Sequence, residues 1–167
     1  MQLLVLLRNL LHRSNRMTQR IDYMKTSPAG VKALGGVHAY IGQCGLEKSL
    51  VELVDLRVSQ INGCAFCLDM HTRALLAQGM TPVKLALVQV WEEAGNVFSA
   101  REKAALAWAE TVTRVADTHV PDSAFDAAAA VFSEKELADL TMAIGLINAY
   151  NRLAISFRNV PREAAEG

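Results

Sequence analysis

Cys64, Cys67 and His71 stand within eight residues of one another, in the stretch SQINGCAFCLDMHTRAL (59–75), although the chain has only three cysteines and four histidines. Residue types and spacing admit three chemistries. Two cysteines at i and i+3 can close a disulfide during turnover. A histidine four residues after the second cysteine lies one helical turn on, where its imidazole can exchange a proton with that sulfur. The same three side chains are also acceptable zinc ligands. The third possibility is an ordinary helix that buries two inert thiols and a satisfied histidine.

Helix geometry separates these readings. At about 100° per residue, Cys67 lies about −60° and His71 about −20° from Cys64, so all three share one face. Asp69 and Arg73 fall off it. Cys64 follows Asn62-Gly63 and is predicted in the first helical turn, where free N–H groups and the helix dipole favour a thiolate. That placement, with a histidine on the same face, favours a redox dithiol over inert thiols. A closed zinc site would need further ligands, and only Cys44, His38 and carboxylates remain. Which sulfur attacks stays open at this level: the dipole favours Cys64 and the nearby base favours Cys67.

The elements that must position these residues all read as helices. Ser27-Pro28 opens one to about Cys44, stopped by Gly45. A second runs from Leu46 to about Ser59. Asn62-Gly63 then breaks the chain before the cysteine helix, which ends near Gly79. Thr81-Pro82 opens a helix to about Trp91, and Pro121-Asp122 opens a short alanine-rich one through Phe132. Ser99 with Glu102, and Ser133 with Glu136, match the capping box. Strand-length alternation of apolar and polar residues is missing. The pattern predicts an all-α helical bundle in a single domain. The leading stretch MQLLVLLRNLLHRSNR has no preceding basic residue, no small-residue cleavage site and too little length to span a bilayer. The expected division is therefore an extension outside the core, residues 1–16, followed by a helical domain, residues 17–167.

Composition narrows the function classes. With 167 residues, 51% apolar and 20% charged, the chain suits one globular domain. Lysine plus arginine equals aspartate plus glutamate at 17 each, and no basic stripe offers itself to nucleic acid. Three cysteines are too few for a secreted disulfide scaffold, so a reducing cytoplasm is the expected location. The apolar stretch TMAIGLINAYNRLAISF is interrupted by Asn148, Asn151 and Arg152. It reads as a helix buried in the protein or between subunits rather than in a membrane. Asn148, Tyr150 and Asn151 either border the site or fix packing. His38 and His119 are expected to be structural or exposed, and Cys44 to lie in the core.

The stretch ELVDLRVSQINGCAFCLDMHTRAL resembles the core of the alkylhydroperoxidase D-like (AhpD-like), or carboxymuconolactone decarboxylase, superfamily. Its signature is a glutamate, then CxxC, then a histidine four residues on. Here Glu52, twelve residues before Cys64, matches the glutamate, Cys64 and Cys67 the cysteines, and His71 the histidine. The later INAYNRLAISF resembles the family's closing helix, and the likeness runs from about Met17 to Val160. From the residues alone Glu52 reads as an exposed carboxylate with Lys48 one turn away.

The resemblance implies an all-helical AhpD-like fold, assembled as a homo-oligomer (trimer or hexamer), and a cytoplasmic antioxidant oxidoreductase. It implies that Glu52, Cys64, Cys67 and His71 are catalytic. Cys67 would be oxidised first by a small hydroperoxide, Cys64 would be the resolving thiol and proton donor, and Glu52 would serve as a proton relay. It implies no bound cofactor. An external dithiol would reduce the pair, carried as a lipoyl group or on a thioredoxin-like protein. Two departures bear on substrate. Phe66 stands where the well-studied peroxidase relative has a histidine, which removes one proton-handling group. Relatives that act as carboxymuconolactone decarboxylases often lack the dithiol, so the intact CxxC argues against that reaction. The alternative class is a non-enzymatic metal-binding or redox-sensing oligomer built on the same cysteines and histidine.

Overall fold

The computed structural model describes residues 18–161, and every regular element among them is helical, as predicted. In chain order these are α1 (Tyr23–Thr26), α2 (Pro28–Ile41), α3 (Lys48–Asn62), α4 (Ala65–Ala77) and α5 (Pro82–Leu87). A 3-10 segment (Val88–Glu93) follows, then α6 (Ala100–Thr113), α7 (Val115–Thr118), α8 (Asp122–Ala129) and α9 (Glu134–Phe157). The extension expected over residues 1–16 lies outside the described residues.

Helix starts follow side-chain chemistry. Ser99 and Ser133 each accept from the amide three residues on, and Glu102 and Glu136 each accept from the serine amide, so both capping boxes form. Thr81 caps α5 through the Lys84 amide, with Pro82 behind it. Ser27 differs: its hydroxyl makes no cap bond, and only Pro28 marks the start of α2. Helix ends depart further from the sequence reading. Helix α2 stops at Ile41, short of Cys44, and α3 starts at Lys48 and passes Ser59 to reach Asn62. The fourth predicted helix breaks at Leu87 into the 3-10 segment, with Val90 at φ −128° and ψ 33°. Helix α8 ends at Ala129. Helices α1 and α7 have four residues each, too short to carry a periodic signal.

Helix α3 organises the molecule by packing against α4, α6 and α9. Leu50, Val54 and Val58 recur every fourth residue and enter a cluster with Trp108, Phe132, Leu140, Ile144, Ile147 and both CxxC cysteines. Leu53 and Leu56 lie on a second face and pack with Leu75, Val88, Trp91, Phe98 and Leu106. Leu53 is fully buried, worth roughly 2 kcal/mol relative to exposure. Glu52, Asp55 and Ser59 fall on the remaining face by the 100° rule. Two apolar faces thus anchor the helix, and the third presents polar groups at fixed height.

A second set of bonds ties this frame together. The Glu110 carboxylate on α6 accepts from Arg57 on α3 and from Trp91 Nε1, each at 2.8 Å. Helix α9 packs on α2, α3 and α6 and buries Leu140, Ile144, Ile147, Asn148 and Asn151 within the protomer. It leaves Met142 and Ile155 nearly half exposed. Among the described residues no helix is long and apolar enough to cross a membrane.

Candidate active site

The site begins where α3 ends. Gly63 adopts φ 69°, a left-handed conformation that costs glycine little, and its amide donates to Gln60 and Ser59. The Cys64 amide donates to the Ser59 carbonyl at 3.0 Å, completing a Schellman closure. Cys64 then adopts φ −88° and ψ 93° and is the N-cap of α4 rather than a residue of its first turn. The 100° spacing therefore holds from Cys67 to His71 but does not extend back to Cys64. The two sulfurs come together nonetheless because an N-cap side chain folds over the first turn. Cys64 Sγ accepts from the Cys67 amide at 3.4 Å.

Cys64 and Cys67 are free thiols, almost fully buried, with their sulfurs hydrogen-bonded at 2.8 Å. The hydrogen bond with Cys67 brings the Cys64 thiol down to about 7; the Cys67 and Phe66 amides and the nearby His71 act in the same direction, against burial. The same sulfur–sulfur bond, with burial, pushes Cys67 up, while a hydrogen bond from Asn151 opposes this. The first negative charge of the pair therefore rests on Cys64.

His71 is buried on α4, one turn after Cys67, and its Nδ1 lies 2.8 Å from Glu52 Oε2 on α3. A carboxylate partner favours the tautomer with hydrogen on Nδ1, which leaves Nε2 as the acceptor of the neutral ring. That Nε2 is buried and has no hydrogen-bond partner among the described residues. Glu52 is thus not the exposed partner of Lys48 that its spacing suggests; its side chain is 19% exposed and bound to the histidine. The structure brings together all four residues singled out in the sequence.

Other polar groups of the site carry weaker sequence signals. Asn62, readable only as a helix breaker, donates to Asn148 Oδ1 at 3.0 Å and to Asn151 Oδ1 at 2.8 Å. Asn151 in turn donates to Ser59 Oγ at 3.1 Å. The end of α3 is thereby pinned to α9; both asparagines fix packing, and Asn151 also borders the site through its hydrogen bond to Cys67. Tyr150 packs against the core. Asp55, one turn after Glu52, is pushed up to about 7 by burial. Its i, i+3 spacing from Glu52 was the available clue.

Glu52 and Asp55 line a cavity of about 250 Å³ together with His38, Lys48, Leu46 and Leu146, and neither CxxC cysteine contributes to its wall. His38 and His119 are exposed. Cys44 is half-buried rather than in the core: its carbonyl accepts from Lys135 and its thiol bonds Asp139. Phe66, in place of the relative's histidine, packs against the main core. Among the described residues no three His, Cys, Asp or Glu side chains are grouped to hold a metal ion.

An all-α bundle with a CxxC dithiol at a helix junction and a Glu–His pair beside it defines the AhpD-like class. The chain belongs to the carboxymuconolactone decarboxylase family, whose model matches residues 28–111. It is 35% identical to the uncharacterized protein YdfG of Bacillus subtilis over 143 residues, 86% of this chain and 97% of that protein. It is 37% identical over 76 residues to the alkyl hydroperoxide reductase AhpD of Bradyrhizobium diazoefficiens, a match spanning 46% of this chain but only 38% of that enzyme. Among solved structures it is similar to ATU0492 of Agrobacterium tumefaciens, a protein of unknown function provisionally assigned as the antioxidant defence protein AhpD. That match has TM-score 0.83 and 41% identity and covers 86% of this chain and 98% of the other. The debrominase Bmp8 shares the fold at TM-score 0.72 and 18% identity, over 86% of this chain and 76% of that one.

Proposed function

We propose that the protein is a dithiol-dependent peroxidase or disulfide reductase that uses Cys64 and Cys67, with His71 and Glu52 as its proton-handling pair. The observation that carries this reading is the 2.8 Å contact of two buried free thiols beside a histidine held by a carboxylate. Such a pair can lose one proton near neutral pH and close without rearranging the backbone.

In the proposed cycle the Cys67 proton passes to the Cys64 thiolate or to His71 Nε2 as Cys67 attacks the outer oxygen of a hydroperoxide. The O–O bond breaks, Cys67 becomes a sulfenic acid, and the alkoxide takes the proton and leaves as an alcohol. Cys64 thiolate then attacks the Cys67 sulfur, releasing hydroxide, which is protonated to water, and forming the disulfide. An external dithiol, lipoyl-borne or on a thioredoxin-like protein, returns the pair to two thiols and is itself oxidised to a disulfide. Cys64, with its lowered pKa, is the better leaving group in that last step. Glu52 keeps the imidazole oriented and stabilises its protonated form. The cysteines do not line the cavity at Glu52 and Asp55, so the peroxide must be small or the path to the sulfurs must open.

The test is a thiol count on the purified protein. Hydroperoxide should remove two titratable thiols per chain, and a small dithiol should restore both. Thiols that survive a large excess of hydroperoxide would sink the reading. Stoichiometric zinc that survives dialysis and shields both cysteines from alkylation would replace it with a metal-holding role.

A further inference from the structure

Asp55 has no part in the cycle above, yet it lies close enough to Glu52 and His71 to feel both charges. It stands one turn after Glu52 on α3, and its Oδ1 is sealed from solvent with no hydrogen-bond partner among the described residues. It shares a cavity wall with Glu52. His71, 5% exposed and bound to Glu52 through Nδ1, has the second orphaned atom, Nε2. Two buried polar atoms without partners in one neighbourhood are unusual in a folded protein, because each forfeits its hydration. Groups that exchange protons are a recognised reason for such orphans.

We infer that Asp55 is a positioning residue whose carboxyl, by holding or releasing its own proton beside His71, controls how readily the Glu52–His71 pair accepts a proton from the dithiol. With Asp55 protonated, Glu52 is the only charged carboxylate beside a neutral imidazole, and Nε2 can accept. Transfer of a thiol proton to Nε2 then makes an imidazolium and a thiolate with no change in net charge. With Asp55 ionised, a second carboxylate charge supports the imidazolium but opposes a thiolate on Cys67. The direct electrostatic effects run the same way: Asp55 raises Cys67, and His71 lowers Asp55.

The groups facing Asp55 are few. Glu52 and Lys48 come from its own helix, His71 and Cys67 from α4, and His38 from α2, while α9 contributes only Ala143 and Leu146 to the cavity wall. Burial brings the carboxyl to about 7, with Glu52 adding to the rise and His71 opposing it. The proton balance of the site therefore changes inside the physiological range.

The consequence for catalysis rests on the proposed dithiol cycle, but the proton can be read without turnover. Infrared titration of the full chain should show a protonated-carboxyl band that disappears as pH rises through about 7. The band should be missing in Asp55→Asn and retained in Glu52→Gln. In a Cys64→Ser background, Asp55→Asn should also move the alkylation midpoint of Cys67 to lower pH. If Asp55→Asn does not fold, Asp55→Ala carries the same comparisons. No band in the wild type at mildly acid pH, a band that persists without Asp55, or an unmoved Cys67 midpoint would each overturn the inference. A wild type that shows the band but reduces no hydroperoxide removes the peroxidase reading and leaves Asp55's proton in place.

Discussion

Glu52 Oε2 and His71 Nδ1 meet at 2.8 Å across the contact between α3 and α4, and the pair is a side-chain bridge joining those helices beside the dithiol. It fixes the ring orientation and the tautomer together. Glu52→Gln and His71→Gln should therefore each slow hydroperoxide-driven loss of thiols by ~10²- to 10⁴-fold, the range for general acid–base groups. Helical circular dichroism should be unchanged. Stopped-flow thiol consumption measures the effect, and wild-type rates in both variants would remove the pair from the mechanism.

The order of oxidation can be read directly. Cys64→Ser should accumulate a sulfenic acid on Cys67 that a sulfenate-selective probe labels, since no resolving thiol remains. The resting charge, however, lies on Cys64. A label found on Cys64 in the Cys67→Ser variant, and never on Cys67, would reverse the two roles.

Thiol reactivity should follow pH with a definite sign. The Cys64 thiol is lowered to about 7, so the thiolate fraction, and with it the alkylation rate, rises through pH 7 and levels off above it. An unperturbed cysteine would still be climbing at about pH 8.5. Alkylation with iodoacetamide, followed by peptide mass spectrometry at Cys64, distinguishes the two curves.

Gly63 joins the two helices of the site at φ 69°. No heavy atom lies within 4 Å of where its Cβ would be, so Gly63→Ala meets backbone strain rather than a clash. The expected loss is about 1–2 kcal/mol in urea unfolding. Because the strain falls on the residue before Cys64, the alkylation midpoint of that thiol should also rise. A variant with unchanged stability would show that the turn accepts another conformation.

Assembly is the fifth property open to test. Helix α2 has a single Lys or Arg, Lys32, and leaves Val37 and Tyr40 about 40% exposed. Helix α9, expected from the sequence to border a subunit contact, buries Leu140, Ile144 and Ile147 within the protomer and leaves Met142 and Ile155 nearly half exposed. If copies associate, α2 is the better-suited face, and light scattering at micromolar concentration should report several times 18.2 kDa. Val37→Lys should then reduce the mass. A clean wild-type monomer would assign α2 to a solvent-facing role.

What the sequence disclosed follows the range of the interactions involved. Ser99–Glu102 and Ser133–Glu136 were legible because a capping box closes within four residues. The His71 spacing from Cys67 was legible because one helix sets it. Cys64 was placed one residue too far into its helix, since an N-cap and a first-turn residue look alike in sequence when Asn-Gly precedes them. Glu52 needed the family resemblance, because its partner is nineteen residues away on another helix. Asp55 offered only its i, i+3 spacing from Glu52, because its protonation depends on burial, which arises only once the helices pack. Asn62 looked like punctuation for the same reason, as its two acceptors sit on α9.

Cys64 closes one helix and opens the next. Its amide completes the end of α3, and its sulfur accepts the Cys67 amide at the start of α4. Any reaction that commits this sulfur to a new covalent bond also weakens a backbone acceptor. The oxidation state of the dithiol is thereby written into the local order of the main chain, and deuterium uptake at the Cys67 amide becomes its reporter. Slow exchange marks the thiolate and faster exchange marks the sulfur engaged elsewhere, so redox state and helix fraying become one measurable quantity.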